Sequence, residues 1–419
     1  MVIIGGGIIG SVAAYELARA GVQVTLLERS HVAAQQSGRN WGFIRQQGRS
    51  STELPLMRNA ILRWQTLEAE LDADLGWTQG GCLTLAEDAA AASRLQSWIP
   101  VGEAFGSHSR MVGPAEVDTI VPGLRGTLLS GLYCPDDGHA DPDRATRAFA
   151  DAAGRCGADV RTGQPVISIT TDRGRVTGVT LPSGHVAADV VVCAAGAGSR
   201  QLLRTCGVAL PQSFVYGTVA LTTPLPPITD AAVWTAGLAF RQRRDGSCVV
   251  SSGPGGEVHV GMDTFAVAPH FLSSLWTNRS RLRLRVGRRL TDQLNSALRG
   301  DRSDPHAIDG SPLPNLRRVR RSLRRFTDAV PGAATASVAS AWAGVIDATP
   351  DATPIISKID AVAGLVVAAG FSGHGFGLGV PAGEAAAALT TDDAPAFDLQ
   401  GFRFSRFAER DFRPADGIV

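Results

Sequence analysis

Charge of a dominant sign is missing from this 419-residue sequence: 40 Lys and Arg stand against 39 Asp and Glu. No global field therefore draws in nucleic acid or an anionic membrane surface. Apolar runs long enough to cross a bilayer are missing too. No targeting leader is expected, because a strand pattern begins at residue 2 with no basic segment or cleavage site ahead of it. The six cysteines, Cys82, Cys134, Cys156, Cys193, Cys206 and Cys248, include no C-x-x-C pair. Their scatter argues against a metal site or a disulfide framework and predicts reduced thiols in the cytoplasm. There is no internal repeat and no low-complexity linker. What is present is a globular composition, 44% hydrophobic with mean hydropathy near zero, in a chain long enough for two domains.

The chain opens on Val2-Ile3-Ile4, the turn Gly5-Gly6-Gly7-Ile8-Ile9-Gly10, a helical run to Ala20, and an apolar segment from Val22 that ends on Glu28. Strand, G-x-G-x-x-G turn, helix, strand and acid together form a dinucleotide-binding fingerprint. Gly5 permits the tight turn, Gly7 lets a pyrophosphate approach the backbone, and Gly10 lets helix and strand pack closely. The helix that starts at Ile8 and Ile9 offers its N–H groups and positive dipole end to the phosphates. Glu28 lies 18 residues after Gly10, where a carboxylate can accept ribose hydroxyls. The alternative is a glycine-rich turn with no ligand.

After Glu28 and Arg29 comes a polar loop, Gln35 to Gly42, too rich in small and polar residues for a core element. It is expected to lie over the cofactor. Ser37, Gly38 and Asn40 suit phosphate and ring contacts, with Arg39 and Trp41 beside them. Leu54 to Leu71 has the spacing of one amphipathic helix, and Cys82 to Leu85 reads as a strand. Asp141 precedes Pro142 and a helical run to Cys156, as an N-cap should. From Val166 to Ala195 three strands read as a meander, the last almost wholly apolar and ending on Ala194-Ala195-Gly196-Ala197-Gly198-Ser199. Such a run lets backbone press on a ligand at the carboxyl edge of a parallel sheet. In residues 211–337 strands such as SFVYGTVALTT and SCVVSS alternate with turns, followed by two arginine-rich stretches, Arg279 to Arg289 and Arg317 to Arg325. They read as solvated helix faces, the alternative being a patch for an acidic partner. Near the end, Gly370-Phe371-Ser372-Gly373-His374-Gly375-Phe376-Gly377-Leu378-Gly379 joins a strand, Leu365 to Ala369, to a helix, Ala382 to Leu389. A second glycine loop suits the far end of a long cofactor.

Three blocks in this order are GGGIIG with Glu28-Arg29, the strand ending VVVCAAGAGS, and TPDATPIIS followed by AAGFSGHGFGLG. They resemble the flavoprotein superfamily of D-amino-acid oxidase, glycine oxidase and sarcosine oxidase, over most of the chain. The resemblance implies an α/β fold. A Rossmann-type FAD-binding domain is expected from 1–78, 136–206 and 338–419, interleaved with an α+β substrate domain from 79–135 and 207–337 whose mixed sheet covers the flavin. It also implies oxidation of a C–N bond beside a carboxylate, with hydride passing to flavin N5 and the imine hydrolysing in water. On the same resemblance Glu28 takes the adenosine ribose, Val166 sits near the adenine, and Ala195 and Gly196 run along the cofactor. Gly373, His374, Gly375 and Phe376, with the helix after them, face the pyrimidine edge, where reduction builds negative charge.

The sequence departs from these relatives at three places. The cysteine that attaches flavin in sarcosine-oxidase-like members is replaced by Gly344, so FAD is expected to be non-covalent. The arginine that binds the substrate carboxylate in glycine oxidase is absent from Val345-Ile346-Asp347. The lysine of some sarcosine oxidases is Gly377 here. Replacements for the carboxylate anchor are Arg45, in the loop over the flavin, and Arg241, on a roof strand; otherwise the substrate is not a simple amino acid. Tyr216 on the opening roof strand and His374 complete the candidate catalytic set, with core or structural roles as their alternatives. His259 is a weaker candidate for oxygen activation. Hydride transfer from a neutral amine needs little side-chain acid–base help.

The resemblance thus implies an FAD-dependent oxidase or dehydrogenase acting on an amino acid or secondary amine, with oxygen or another carrier accepting the electrons. Neither a metal nor a nucleic acid is expected, and the oligomeric state is open. The alternatives are a 2-hydroxy-acid oxidoreductase and a flavoprotein subunit without chemistry of its own.

Overall fold

The computed structural model describes residues 1–126, 129–253, 255–277, 282–287 and 312–412, together with 290, 291, 293, 295 and 298. Six strands form one sheet in the order Ile355–Lys358, Leu365–Ala369, Val191–Cys193, Val2–Ile4, Thr25–Leu27 and Asp159–Arg161. Neighbours run parallel, except that the first pair is antiparallel. Alternate side chains divide between two cores, as a period of two requires. Ile3, Leu26, Val192 and Val366 pack against the helices Ile8–Arg19, Pro142–Arg155 and Gly379–Thr391. Val2, Ile4, Leu27, Val191 and Val367 pack on the other side against a three-stranded antiparallel sheet and the helix Ser199–Thr205. Both faces are covered, which is why the inner strands Val2–Ile4, Val191–Cys193 and Leu365–Ala369 are fully buried and almost wholly apolar, while the edge strand Asp159–Arg161 carries exposed charges.

The first turn needs its glycines. Gly5 has φ +108°, and a Cβ there would lie 2.5 Å from the carbonyl oxygen of Ala194. A Cβ on Gly10 would collide with the carbonyl oxygen of Gly5. The helix Ile8–Arg19 therefore packs on the first strand only because residue 10 has no side chain.

The larger sheet has ten strands and is mixed. Its path runs Leu282–Val286, Gly256–Val260, Ser213–Thr222, Cys248–Ser251, Ala239–Gln242, Ala232–Trp234, Cys82–Ala86, Ser130–Cys134 and Arg110–Val112. Val338–Ala348 pairs with Ser213–Thr222 along its length. The helix Leu316–Ala329 closes one face, with Phe326 in a core that holds Phe240 and Val250, and Val319 is buried on the same helix. The whole is a mixed α/β architecture.

Four expectations change. The helix expected over Leu54 to Leu71 is two, Leu54–Trp64 and Leu67–Leu71. Thr66 donates its hydroxyl to the Arg63 carbonyl at 3.2 Å, and such a bond competes with helix continuation. The meander's third strand is Gly184–Ala187, because the apolar Val191–Cys193 belongs to the parallel sheet. Val338–Ala348, expected with the cofactor-binding part, lies in the larger sheet, since its long ladder to Ser213–Thr222 outweighs its one bridge from Ala348 to Phe371. The last helix starts at Gly379, ahead of Ala382. Asp141 does cap Pro142–Arg155, accepting from Arg144 N–H. Of the arginine-rich stretches, Arg317, Arg320, Arg321, Arg324 and Arg325 stand exposed on their helix. Arg279, Arg281, Arg288 and Arg289 lie outside the described residues.

Candidate active site

A cleft of about 900 Å³ runs between the two sheets. One end is formed by Gly5, Gly7, Ile8, Ile9, Glu28, Arg29 and Val166, the other by Gly373, His374, Gly375 and Phe376. Ser37, Arg39, Asn40, Trp41, Ala195, Gly196 and Gly344 line it between. Glu28 is buried and braces the turn: Gly6 N–H donates to Oε2 at 2.8 Å and Ser30 N–H to Oε1 at 2.9 Å. Ile8 N–H, at the helix start, donates to Ser37 Oγ at 2.9 Å. Asn40 is committed to its own loop, donating to the carbonyls of Gln36 and Ser37 and accepting from Gly42 N–H. Arg39 donates to the carbonyls of Ala34 and Ala343, tying the loop to the larger sheet.

Several predicted residues stand elsewhere. Gly10 is behind the turn, in the helix–strand contact. Gly38 faces Ala33, whose carbonyl fills the place a Cβ would take. Neither lines the cleft. Arg241 is buried behind it, with Nε donating to the Trp41 carbonyl. Burial lowers its pKa to about 10, despite the nearby Asp141 carboxylate. His259 is off the cleft and stacks on Tyr216, which lines it, with ring centroids 4.2 Å apart. What faces the cleft near the second glycine loop is the turn Gly373–Gly377. The helix itself begins at Gly379, against Ile8.

Asp347, at the place of the missing arginine, has a part the residues did not announce. It is buried and lines the cleft. It accepts from Gln36 Nε2 at 2.6 Å, Gln212 Nε2 at 3.1 Å and Gly370 N–H at 2.8 Å. Gln212 also donates to the Gly196 carbonyl at 3.0 Å. One carboxylate thus joins the loop after the first turn, the Ala195-Gly196 turn and the second glycine loop. Burial raises its pKa, and the three donors oppose that.

At the second loop's end lies a buried charged cluster. Arg45 is 3% exposed and sets its guanidinium over the Trp234 ring, 4.4 Å from the centroid. It donates to the Gln47 carbonyl and lines the cleft. Arg49 lines it too; burial, and then repulsion from Arg45, lower its pKa to about 9. His374 donates through Nδ1 to Glu53 Oε1 at 2.9 Å. Burial, and then Arg49, lower the His374 pKa, against the opposing pull of Glu53. Burial would raise that of Glu53, but His374, Arg49 and Arg45 outweigh it and hold the carboxyl below its ordinary value. Asp137 accepts from Gln46 and Gln47 N–H groups, and burial pushes its pKa up to about 6. Arg49, Glu53 and Asp137 escaped the sequence reading. The Arg45-x-x-x-Arg49-x-x-x-Glu53 spacing was the available signal, but it lies outside any regular helix.

A parallel sheet with glycine turns at both ends of a long cleft, roofed by a mixed sheet, defines a dinucleotide-binding oxidoreductase. A family model described as FAD dependent oxidoreductase (DAO) matches residues 1–389, and the chain belongs to that family. Its cofactor is FAD. The cleft fits it: glycine turns at Gly5 and Gly196 where a Cβ would collide with its neighbours, the buried carboxylate of Glu28 at one end, and no thiol on the walls among the described residues to form a thioether. Human mitochondrial sarcosine dehydrogenase is 32% identical over 243 residues, which are 55% of this chain and 26% of that enzyme. The chain thus spans about a quarter of that relative's length. Glycine oxidase of Geobacillus kaustophilus is 25% identical over 96% of both chains. L-Amino acid deaminase from Proteus myxofaciens, solved with anthranilate, superposes with a TM-score of 0.90 at 27% identity, covering 97% of this chain and 93% of that one.

Proposed function

We propose that this oxidoreductase converts a C–N bond of an amino acid or secondary amine to the imine. FAD, when bound, would supply the two-electron acceptor, with N5 as the atom to which hydride passes. The observation that carries the reading is the pair of buried guanidiniums, Arg45 and Arg49, on the cleft wall beside the second glycine loop. A buried cation facing a cavity suits a carboxylate. Arg45 is the carboxylate anchor. Arg49 stands beside it, with Glu53 and Asp137 as countercharges to the two cations. The names of the relatives, for sarcosine, glycine and L-amino acids, support the same substrate class.

Glu28, Val166, Ala195 and Gly196 are assigned to the adenosine and pyrophosphate half of the cofactor, and Gly344 with Gly373 to Phe376 to the ring half. His374, already donating to Glu53, acts by holding the loop. Tyr216 lines the roof, and Arg241 steadies Trp41 from behind. The amine loses its proton before binding, so no side-chain base is required. Oxygen or another carrier would accept the electrons. The division proposed is 1–78, 136–206 and 349–419 for FAD against 79–135 and 207–348 for the substrate, with Val338–Ala348 moved to the roof sheet. Among the described residues no helix is long and apolar enough to cross a membrane. The six free thiols fit a reducing compartment such as the cytoplasm.

Anaerobic titration of the yellow protein tests the reading. Loss of the visible flavin band with D- and L-amino acids, N-methyl amino acids or cyclic imino acids supports it. Bleaching by 2-hydroxy acids and by no amine would replace it, because the same anchor suits either carboxylate. Bleaching by neither leaves the flavoprotein-subunit reading.

A further inference from the structure

The cleft wall beside Arg45 is aromatic. Trp41, Phe43 and Trp234 all line the cleft. Their ring centroids are 5.7 Å apart for Trp41 and Phe43, 5.3 Å for Trp41 and Trp234, and 6.3 Å for Phe43 and Trp234. Interplanar angles of 67°, 76° and 63° make every pair edge-to-face. Rings in such contact leave no gap between them for a cation, so they are a wall and not a cage for a methylated ammonium. The Arg45 guanidinium already occupies one face of Trp234, and a second cation there would be repelled.

The wall is fixed before any ligand arrives. Phe43 pairs with His139 in a short antiparallel ladder. Arg241 holds the Trp41 carbonyl, and Trp342 Nε1 donates to the Arg39 carbonyl at 2.9 Å. Side chains alternate along an extended chain: Ile44 is fully buried in the helix-side core, while Phe43 and Arg45 both face the cleft. A carboxylate at Arg45 therefore brings the rest of its molecule against Phe43 and Trp234. Glycine or sarcosine would leave those rings against water.

We infer that the substrate carries an aromatic or large apolar side chain, selected by Phe43 and Trp234 with Trp41 completing the wall. This rests on the amino-acid reading above and narrows it. The tests separate the two. Oxidised holoenzyme is titrated with 3-phenylpropanoate and with propanoate, following the shift of the flavin visible band. The expected Kd for the phenyl compound is about ten- to a hundredfold lower, as burial of one such side chain implies. Phe43→Ala should reduce that ratio to about threefold or less, and Phe43→Leu should keep part of it, both with FAD retained. Equal affinities in the unsubstituted enzyme, or a ratio that neither variant changes, overturns the inference. In turnover, kcat/KM should rise from glycine and sarcosine through alanine and leucine to phenylalanine; fastest oxidation of glycine or sarcosine also overturns it. If no amine bleaches the flavin, the oxidation reading fails, and the carboxylate titration still decides the character of the wall.

Discussion

His374 and Glu53 are 321 positions apart and share a hydrogen bond of 2.9 Å from Nδ1 to Oε1. The bond ties the second glycine loop to the segment that enters the helix Leu54–Trp64. Glu53 is also a countercharge for Arg45 and Arg49, all three nearly inaccessible to water. Glu53→Gln keeps the shape and removes the charge. Stability should fall by about 3 kcal/mol, the order found when one member of a buried ionic cluster is neutralised. Denaturant unfolding of the holoenzyme reads this directly, and a loss under about 1 kcal/mol would show that the cluster balances without Glu53.

Asp347 invites a different substitution. Asp347→Ala strands two amide groups, of Gln36 and Gln212, and the N–H of Gly370. Each unpartnered buried donor costs about 1–3 kcal/mol unless water replaces the carboxylate. Because those donors sit on three segments around the cleft, FAD affinity should drop along with stability, by about tenfold or more. Fluorescence of released FAD during dilution measures the affinity. An unchanged FAD affinity at lowered stability would restrict Asp347 to a structural role.

How legible the molecule was depended on range. Gly5, Gly10 and Glu28 lie within one strand–turn–helix–strand unit, and the collision a Cβ would cause at Gly10 is a local fact that the fingerprint already encodes. Asp347 and Glu53 could be read as nothing but polar residues, because their partners Gln36 and His374 are more than 300 positions away. Arg45 was visible because it sits in a loop expected over the cofactor. Arg49 was not, since only burial against Arg45 distinguishes it from a surface arginine. Arg241 misled for the same reason: a strand residue points into a cleft or behind it according to packing that the sequence does not display.

Acid sensitivity should centre on His139. It is 1% exposed on the strand that pairs with Phe43, and Nε2 sits 3.1 Å from the Asp230 carbonyl oxygen. Burial, and then the Arg241 charge, lower its pKa to about 3. A folded pKa below the unfolded value of about 6.5 means that the unfolded chain takes the proton first. Stability from this group is complete above about pH 6.5 and is lost as pH falls toward 3, by roughly 1.4 kcal/mol per pH unit across that window. Unfolding at pH 7.5 and pH 5 should therefore differ by about 2 kcal/mol more in the unsubstituted protein than in His139→Asn, whose side chain has no proton to gain. Equal differences would remove His139 as the source.

Arg45 and Arg49 can be separated by asking which one responds to substrate charge. If Arg45 holds the carboxylate, Arg45→Ala should raise KM about ten- to a hundredfold for an amino acid, the cost of one charge-assisted hydrogen bond. The amino-acid amide, which has no negative charge to offer, should lose far less. Arg45→Lys should not restore affinity, because an ammonium can neither form the planar fork nor lie flat over Trp234 as this guanidinium does at 4.4 Å. For Arg49 the Nη atoms have no hydrogen-bond partner among the described residues, while Nε donates to the Arg45 carbonyl at 3.3 Å. Arg49→Ala should therefore act through Arg45: a smaller rise in KM, in the same direction, for the acid and not for the amide. Steady-state kinetics on the acid–amide pair gives four numbers per variant. Equal losses on acid and amide in Arg45→Ala would mean that the carboxylate is held by another group, and Arg49→Ala showing the larger acid-specific loss would name it.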